Sequence, residues 1–511
     1  MRAIAQLRGV RHIAMGTSAW LAASVSLAQN AAGPSPALSI VPRISVSERF
    51  TNNVALSRSN KKSELVTQIS PGISIRSNSG RLKGFLDYSL DELIYARGTS
   101  GRQTQNALNS SAVLEAVDNF AYIDFSGSIS QQAISALGLQ STNGSSINGN
   151  STETSNFALS PYLKGNLGGV VDYVARYGWA SSKSGAASVS DLLTTDASLN
   201  LSGAVRGGPM GWAADASSQR VNYSLGRTIR SSRFGGSLSY AFSPQVNASL
   251  LISRESNNYT TATAESHGSA GLSMNWRLSE RTSIAAQLEN HSYGQSHNIS
   301  ILHRTARTSW RFSDSRAVSN SPAQSGQTTL GSLSDLLFNQ FSSLEADPLK
   351  RVELVNRYLQ ETGLTGDSQV ISNFLSSQVS LQRRQEASFA LLGVRDTISF
   401  VMSRGSNSSL SNFSTAFDDL SNNSVIHQSG FSVIYSHRLT PDTSMNAVAS
   451  RQNASGTGGL GGTSLRALDL SISSRLGRQT SASIGARRVF FDSVTNPYTE
   501  TAVTGNLNVQ F

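Results

Sequence analysis

The stretch Leu272-Ser273-Met274-Asn275-Trp276-Arg277-Leu278-Ser279 decides the fold, because apolar and polar residues alternate strictly along it. Successive side chains of a β-strand point to opposite faces, so the stretch predicts a strand with one apolar and one polar face. The same alternation recurs at residues 82–91, 246–252 and 467–473. Many of these runs last about 10 to 15 residues, which is longer than the strands of soluble sandwiches and suits tilted strands that cross a bilayer. The sequence therefore predicts an all-β transmembrane antiparallel β-barrel whose apolar face contacts lipid.

The connections between the predicted strands favour the same fold. Short turns carry the Gly, Pro and Asn residues of tight hairpins at 78–80, 166–169, 243–245, 440–442 and 477–479. They alternate with longer polar links, which include 134–153, 404–426 and 452–463. Short turns at one end and long loops at the other are typical of outer-membrane barrels. About 21 strands are predicted in this way, and because bacterial single-chain barrels have even strand numbers, we expect 20 or 22.

The composition excludes several classes of protein. The 511 residues include no cysteine, so disulfides, thiolate catalysis and cysteine-ligated zinc are excluded. Only 14% of the residues are charged, against about 25% in ordinary soluble domains. Beyond the N-terminus, no run approaches the roughly 18 apolar residues of a spanning helix. What remains is a β-protein with a polar interior.

The two chain ends carry targeting signals. Residues 1–28 read as a signal peptide, with Arg2, Arg8 and Arg11 ahead of an apolar run and a small-residue cleavage site at Ala28. Its removal lowers the formal charge from +10 to +7, because three arginines leave, and the barrel then comprises residues 29–511. An exported chain is not expected to bind nucleic acid, despite its positive charge.

The C-terminal strand ends on an aromatic residue. Val503, Leu507, Val509 and Phe511 share one face of residues 503–511, and polar residues occupy the other. A terminal alternating strand of this kind resembles the signal by which the outer-membrane assembly machinery selects its clients. We therefore predict that Phe511 is part of an assembly signal.

One segment departs from the β pattern. Within an insertion of about 314–372, apolar residues at 330–365 take helical spacing, as at Leu337, Phe341, Val352 and Val355. Asp347-Pro348 and Gly363 are typical of a helix start and a helix end. Two short helices are predicted, which either plug the lumen, dock periplasmic partners or simply close one end of the barrel. Counting strands from the two chain ends places the insertion on opposite sides of the membrane, so its side stays open.

No catalytic constellation is recognisable. The histidines of the mature chain form no metal-like pair, although His291 and His297 flank a short loop where a metal ion could bind. The glycines of 455–462 lack the strand–helix frame of a phosphate-binding loop, and the carboxylates are scattered. We expect no enzyme activity, no cofactor and no resident metal.

Arginines on the polar strand faces are the sharpest functional clue. Arg277, Arg395, Arg475 and Arg487 are predicted to line the pore and to favour anions, since a charged wall in a confined pore selects by sign. The alternative is that lumen arginines pair with carboxylates such as Asp91, Asp124 and Asp469. Aromatic residues are assigned to the interfacial girdles, at Trp276, Trp310, Phe312, Tyr435 and Phe490.

Several short motifs resemble one family of outer-membrane barrels. They are Glu48-Arg49-Phe50-Thr51-Asn52-Asn53-Val54, Ile69-Ser70-Pro71-Gly72-Ile73, Gly80-Arg81-Leu82, Asp87-Tyr88-Ser89-Leu90, Ser160-Pro161-Tyr162, Asp347-Pro348 and Gln382-Arg383-Arg384-Gln385-Glu386-Ala387-Ser388. Together they are similar to the PEP-CTERM system-associated outer-membrane proteins, which belong with exosortase and exopolysaccharide loci. The resemblance runs through most of the mature chain and implies a location in the outer membrane of a Gram-negative bacterium.

Two functions from different classes follow. The first is a pore or secretion-associated channel for an anionic polymer or solutes, linked to extracellular polysaccharide export. The alternative is a non-conducting structural or assembly barrel that docks periplasmic partners through its helical insertion. Both imply contact with outer-membrane lipid and with the assembly machinery, and the first adds exopolysaccharide or periplasmic export components.

Overall fold

A computed structural model describes residues 37–205, 208–319, 337–338, 341, 350–352, 354–355, 358–359, 374–410, 418–458 and 461–511. Its strands are β1 (Leu38–Thr51), β2 (Glu64–Asn78), β3 (Leu82–Tyr95), β4 (Gln103–Val117), β5 (Ala121–Ala133), β6 (Ser151–Leu167), β7 (Val171–Ser184), β8 (Leu192–Ala204), β9 (Met210–Tyr223), β10 (Ile229–Ser243), β11 (Val246–Asn257), β12 (Glu265–Ser279), β13 (Thr282–His291), β14 (Gly294–Arg304), β15 (Thr308–Ser319), β16 (Ser380–Leu392), β17 (Asp396–Ser409), β18 (Val425–Arg438), β19 (Thr443–Gly456), β20 (Thr463–Arg475), β21 (Thr480–Asp492) and β22 (Tyr498–Gln510). A four-residue helix, α1 (Asp419–Asn422), lies between β17 and β18.

The strands form one closed antiparallel barrel. Each strand pairs with the next in sequence, and β22 returns to β1 in a register that runs from Arg43 opposite Gln510 to Thr51 opposite Ala502. Closure leaves no sheet edge, which is the condition for a β-structure to exist in lipid. The predicted all-β barrel is confirmed, and its 22 strands meet the expected even number.

The two faces of the wall have opposite character. On β20, Leu468, Leu470 and Ile472 are about half exposed, whereas Ala467 and Ser473, which flank them on the opposite face, are buried. The same alternation holds around the barrel, and Trp276, Trp310, Phe312 and Phe490 of the predicted girdles all face outward. An apolar belt on the outside of a closed barrel is lipid-facing surface. Among the described residues, no helix is long and apolar enough to cross a bilayer.

The two ends of the barrel are also different. The connections after even-numbered strands span two to five residues and lie at the end that holds Leu38 and Phe511. The connections after odd-numbered strands are mostly longer, apart from a two-residue turn at 292–293 between β13 and β14. Because outer-membrane barrels have short periplasmic turns and long extracellular loops, the long-loop end is the extracellular end.

At the extracellular end, β15, β17 and β19 extend further than the alternation predicts, whereas β16 begins later. β15 continues to Ser319 and β16 begins at Ser380, so the insertion spans 320–379 instead of about 314–372. β17 likewise reaches Ser409 and β19 reaches Gly456, inside the links predicted at 404–426 and 452–463. Above the bilayer both strand faces are wetted, so the apolar alternation stops while the hydrogen-bonded ladder continues. The signal peptide 1–28, Asp347-Pro348 and Gly363 lie outside the described residues.

The C-terminal residue gives a prediction of its own. The Phe511 amide donates to the Pro42 carbonyl at 2.9 Å, and its side chain is 66% exposed at the periplasmic end. Because this ring contributes little to packing, Phe511→Ser should leave the fold intact but lower the amount of barrel in the outer membrane, measured by immunoblot of fractionated cells. Phe125→Ser, an outward change elsewhere in the wall, is the control. Equal abundance of wild type and Phe511→Ser would show that the residue is not an assembly signal.

Candidate functional site: a lumen filled from the extracellular end

The insertion between β15 and β16 starts at the extracellular end of the barrel, which resolves its side. The described parts of the insertion include helical backbone at 337–338, 350–352, 354–355 and 358–359. The rest of the predicted helical range 330–365, apart from residue 341, lies outside the described residues. β15 runs toward the extracellular end and the antiparallel β16 runs back from it, so the chain leaves the membrane before it enters this segment.

The insertion folds back into the lumen. Leu337, Phe341 and Val355 are buried in one cluster with Val401 of β17 and Ile434 of β18. Val401 lies between the exposed, lipid-facing Phe400 and Met402, so its own side chain faces the lumen. The helical segment is therefore packed against the inner surface of the barrel wall.

The contact lies deep in the barrel. Val401 is five residues from the periplasmic end of β17, and Ile434 is four residues from that of β18. Tyr358 approaches the side chain of Ser436, which is only two residues from the periplasmic end of β18. A segment attached at the extracellular rim thus reaches the periplasmic third of the lumen.

The end of the insertion crosses the extracellular mouth. Phe374 bridges to Ala133 at the end of β5, and the Leu375 amide donates to the Ala133 carbonyl at 3.1 Å. Six residues later the chain enters β16, which is eleven strands from β5 in either direction around the barrel. Residues 374–379, which we call the mouth segment, are all buried. An extended segment that joins opposite walls obstructs the opening between them.

Polar contacts hold the mouth segment to neighbouring loops. The Ser377 amide donates to Asp418 Oδ2 at 2.8 Å, and Gln378 Nε2 donates to Asp418 Oδ1 at 2.9 Å. The Ser190 amide, from the loop after β7, donates to Ser377 Oγ at 2.8 Å. Buried polar groups that are satisfied in this way fix one arrangement of the segment.

A second loop, 134–150, is folded over the same mouth. Asp419 of α1 accepts hydrogen bonds from Ser135 Oγ at 2.6 Å and from the Ala136 amide at 2.7 Å. Burial raises the pKa of the Asp419 carboxyl above its ordinary value. On the far side of the loop, Tyr498 donates to the Gln140 carbonyl at 2.7 Å. The extracellular loops are therefore linked to one another across the opening.

The lumen wall carries arginine–carboxylate pairs that reach across strands. Arg43 of β1 contacts both carboxylate oxygens of Asp87 on β3, at 2.5 and 2.8 Å. The Arg43 side chain passes over β2 at Gly72. A larger residue would block this path, because a Cβ added at position 72 would lie 2.9 Å from Arg43 Nε. Arg176 and Asp124 form a similar pair at 2.7 Å. These pairs favour the alternative that lumen arginines are matched by carboxylates.

The densest charged cluster lies near the extracellular end of β10–β13. Arg233 donates to Glu255 at 3.0 Å and to Glu289 at 2.8 Å, and His291 Nδ1 lies 2.9 Å from Glu255 Oε2. Ligand atoms of Glu255, Glu289 and His291 come within 4.8 Å of one another, so they are a potential divalent-metal set. The Arg233 guanidinium already supplies a cation to both carboxylates. We interpret the cluster as an ion-pair network of the wall.

The structure does not bring His291 and His297, where a metal ion could bind according to the sequence, together in one site. His297 lies opposite the outward Leu288, and its Nε2 is 3.0 Å from the outward Asp314 on β15. His291 points to the lumen, with its Nε2 2.8 Å from Ser296 Oγ. The two rings are on opposite faces of the wall because an odd number of ladder positions separates them.

The four predicted pore-lining arginines occupy three different environments. Arg277 and Arg475 are exposed at inward positions at the periplasmic end of β12 and β20. Arg395 lies in the periplasmic turn between β16 and β17, outside any strand. Arg487 faces the lumen at mid-height, where its Nη2 is 3.4 Å from Glu500 Oε2 and its Nε is 3.9 Å from Asp469 Oδ1. The alternation of each strand correctly identified the inward face. It did not show where each strand ends, and therefore it did not show which arginines lie within the barrel wall and which lie in a turn.

This geometry establishes the location of the protein. The chain is an outer-membrane β-barrel. No protein-family model and no curated protein matches it. Solved structures with a similar arrangement include the siderophore receptor PirA from Pseudomonas aeruginosa (9% identity, 92% of this chain and 80% of that one, TM-score 0.45) and PirA from Acinetobacter baumannii (10%, 92% and 80%, 0.48). The ferric-catecholate receptor Fiu from E. coli K12 is another (9%, 92% and 81%, 0.47).

The mouth segment is a structural feature that the sequence did not reveal. Residues 374–379 have no marked period and no motif. Their role arises from a contact between Phe374 and Ala133, which are far apart in the chain. The helical spacing of 330–365 pointed to an element that could plug the lumen, but it did not identify residues 374–379.

Proposed function

We propose that the protein is a gated outer-membrane channel in which the insertion 320–379 is the gate. In the closed state the helical segment lies on the inner wall and the mouth segment crosses the opening. Passage requires the helical segment to leave the wall. The observation that carries the proposal is the burial of Leu337, Phe341 and Val355 against Val401 and Ile434 inside the barrel.

The size of this contact suits a gate. Burying one Val, Leu or Phe side chain contributes roughly 1.5–3 kcal/mol, so Leu337, Phe341 and Val355 together hold the closed state by several kcal/mol. The partly buried Phe338, Leu354 and Leu359 pack against the same cluster and add to this contact. Barrels of about 22 strands are wide enough to need a plug for closure.

We further propose that the cargo is an anionic polymer or solute, and that the channel serves extracellular polysaccharide export. The resemblance to the PEP-CTERM-associated barrels supports the export role. The charge of the periplasmic opening supports the anionic cargo, because several inward strand positions there carry cations: Arg76, Lys83, Arg277, Arg304, Arg438 and Arg475. A positive entrance raises the local concentration of anions.

A tether between the gate and the wall tests the gate. The natural chain has no cysteine, so Tyr358→Cys/Ser436→Cys introduces the only two thiols. Bridging them with a short bifunctional methanethiosulfonate should abolish channel openings in planar bilayers, because the helical segment can no longer leave the wall. A reductant that cleaves the bridge should restore the openings.

The two single-cysteine variants are the controls, since each carries the reagent without a bridge. They should open like the wild type. Openings that persist in the bridged protein would contradict the gate. A barrel that never conducts, bridged or not, would favour the structural role instead.

A further inference from the structure

Arginines recur on the outer face of the wall immediately above the apolar belt. Arg466 follows Ile472, Leu470 and Leu468 toward the extracellular end of β20, all on the outward face. Arg316 follows Trp310 and Phe312 on β15 in the same way. Others at this level are Arg220, Arg230, Arg254, Arg383, Arg404 and Arg451. The level is that of the headgroups of the outer leaflet.

Six of these arginines stand in directly opposed pairs. The β9–β10, β15–β16 and β19–β20 registers place the members of each pair on adjacent strands at the same height; the three arginine pairs are Arg220/Arg230, Arg316/Arg383 and Arg451/Arg466. Like charges directly opposite each other destabilise a sheet. Three such pairs at one height therefore point to an anion that lies between the two guanidinium groups.

Carboxylates compensate only part of this charge. Arg383 contacts Asp314 at 2.8 Å, and Arg466 contacts Asp492 at 2.5 Å. Arg220 Nε donates to the neutral side chain of Asn222 at 3.1 Å. Within the described part of the chain, no carboxylate lies within 4 Å of Arg230, Arg316 or Arg451. Each pair keeps at least one guanidinium with donors directed to solvent.

We propose that the three arginine pairs bind the phosphate groups of an outer-leaflet glycolipid. A guanidinium presents a planar fork of donors that matches phosphate oxygens, and two opposed guanidiniums can hold one phosphate from both sides. The apolar belt directly below each pair accepts the acyl chains of the same lipid. Headgroup phosphate and acyl chains thus meet complementary surface at the same place on the wall.

The test compares two double variants that remove equal charge. Arg451→Gln/Arg466→Gln removes one pair, and Arg254→Gln/Arg404→Gln removes two outward arginines that do not oppose another arginine. The probe is purified lipid A with its phosphates, titrated onto the detergent-solubilised barrel and quantified by native mass spectrometry. We expect the pair variant to weaken binding at that site about tenfold, because charge-assisted contacts to one phosphate are lost. The matched variant should change binding by less than about threefold.

Two further arms identify the ligand chemistry. Chemically dephosphorylated lipid A should bind all variants equally weakly. Arg451→Lys/Arg466→Lys keeps the charge but loses the forked geometry, so it should recover binding only in part. It also supplies the test if the glutamine variant does not fold, as judged by heat-modifiable migration on gels.

Three results would overturn the proposal. Equal losses in the pair variant and its matched control would mean diffuse attraction by surface charge. Undiminished binding of dephosphorylated lipid A would exclude phosphate recognition. Equal affinity for phosphatidylglycerol would exclude a glycolipid as the specific ligand.

Discussion

Deleting residues 330–365 should turn a channel that is mostly closed into one that conducts persistently. The deletion removes Leu337, Phe341 and Val355, which hold the helical segment against Val401 and Ile434. It leaves the mouth segment and all 22 strands in place. Because a closed state held by a few kcal/mol has an open fraction of a few per cent or less, its loss should raise the time-averaged conductance by at least about tenfold.

The measurement is the current through single barrels in planar bilayers at fixed voltage and salt. A full-length companion, Leu337→Ser/Phe341→Ser/Val355→Ser, should open the channel in the same direction, since it removes the apolar contact without shortening the chain. Lys350→Ser is the matched control, because Lys350 is an exposed residue of the same segment. An unchanged closed barrel in both the deletion and the triple variant would show that the helical segment is not the gate.

Replacing Arg487 with glutamine should destabilise the barrel strongly. Arg487 is the cation beside Glu500, whose side chain is almost completely buried. Glu500 also accepts a hydrogen bond from Thr51 Oγ1 at 2.8 Å, so it links β22 to β1 where the barrel closes. Arg487→Gln leaves a buried carboxylate without its counter-charge, which costs about 3–5 kcal/mol of unfolding free energy.

Denaturant unfolding in detergent, followed by tryptophan fluorescence and by heat-modifiable migration, measures this loss. Arg487→Gln/Glu500→Gln should recover most of the stability, because neither buried group is then charged. Arg475→Gln, at an exposed position, should change stability by less than about 0.5 kcal/mol. If Arg487→Gln were as stable as Arg475→Gln, the ion pair would not contribute to closure of the barrel.

Because Arg487 is buried in an ion pair and Arg475 is exposed, the two residues are not equally suitable for mutations that test ion selectivity. A variant that replaces Arg487 together with Arg277 and Arg475 would mix a loss of stability with a loss of charge. Reversal potentials across a salt gradient are therefore best compared between the wild type and Arg277→Gln/Arg475→Gln, whose residues lie exposed at the periplasmic entrance. A smaller anion preference in that variant is the expected result.

Much of the fold was predictable because lipid imposes a simple rule on each strand. Alternation at Leu272, Met274 and Trp276 assigns one face to the bilayer, and the turn at 440–442 marks the short-loop end. Above the bilayer that rule no longer applies, which is why the ends of β15, β17 and β19 were predicted too short. The predicted count of about 21 strands was odd, and this left the side of the insertion open.

The sequence by itself determined the architecture and the membrane-facing surface, since both follow from periodicities of neighbouring residues. Only the tertiary structure decided which residues contact one another across the barrel or between strands. The burial of Leu337 against Val401, the crossing of Phe374 to Ala133, the pair of Arg487 with Glu500 and the opposition of Arg451 to Arg466 each depend on register or on closure of the sheet. The physical reason is that face assignment needs only the two-residue period of one strand, whereas a partner is fixed by hydrogen bonding between strands distant in the chain.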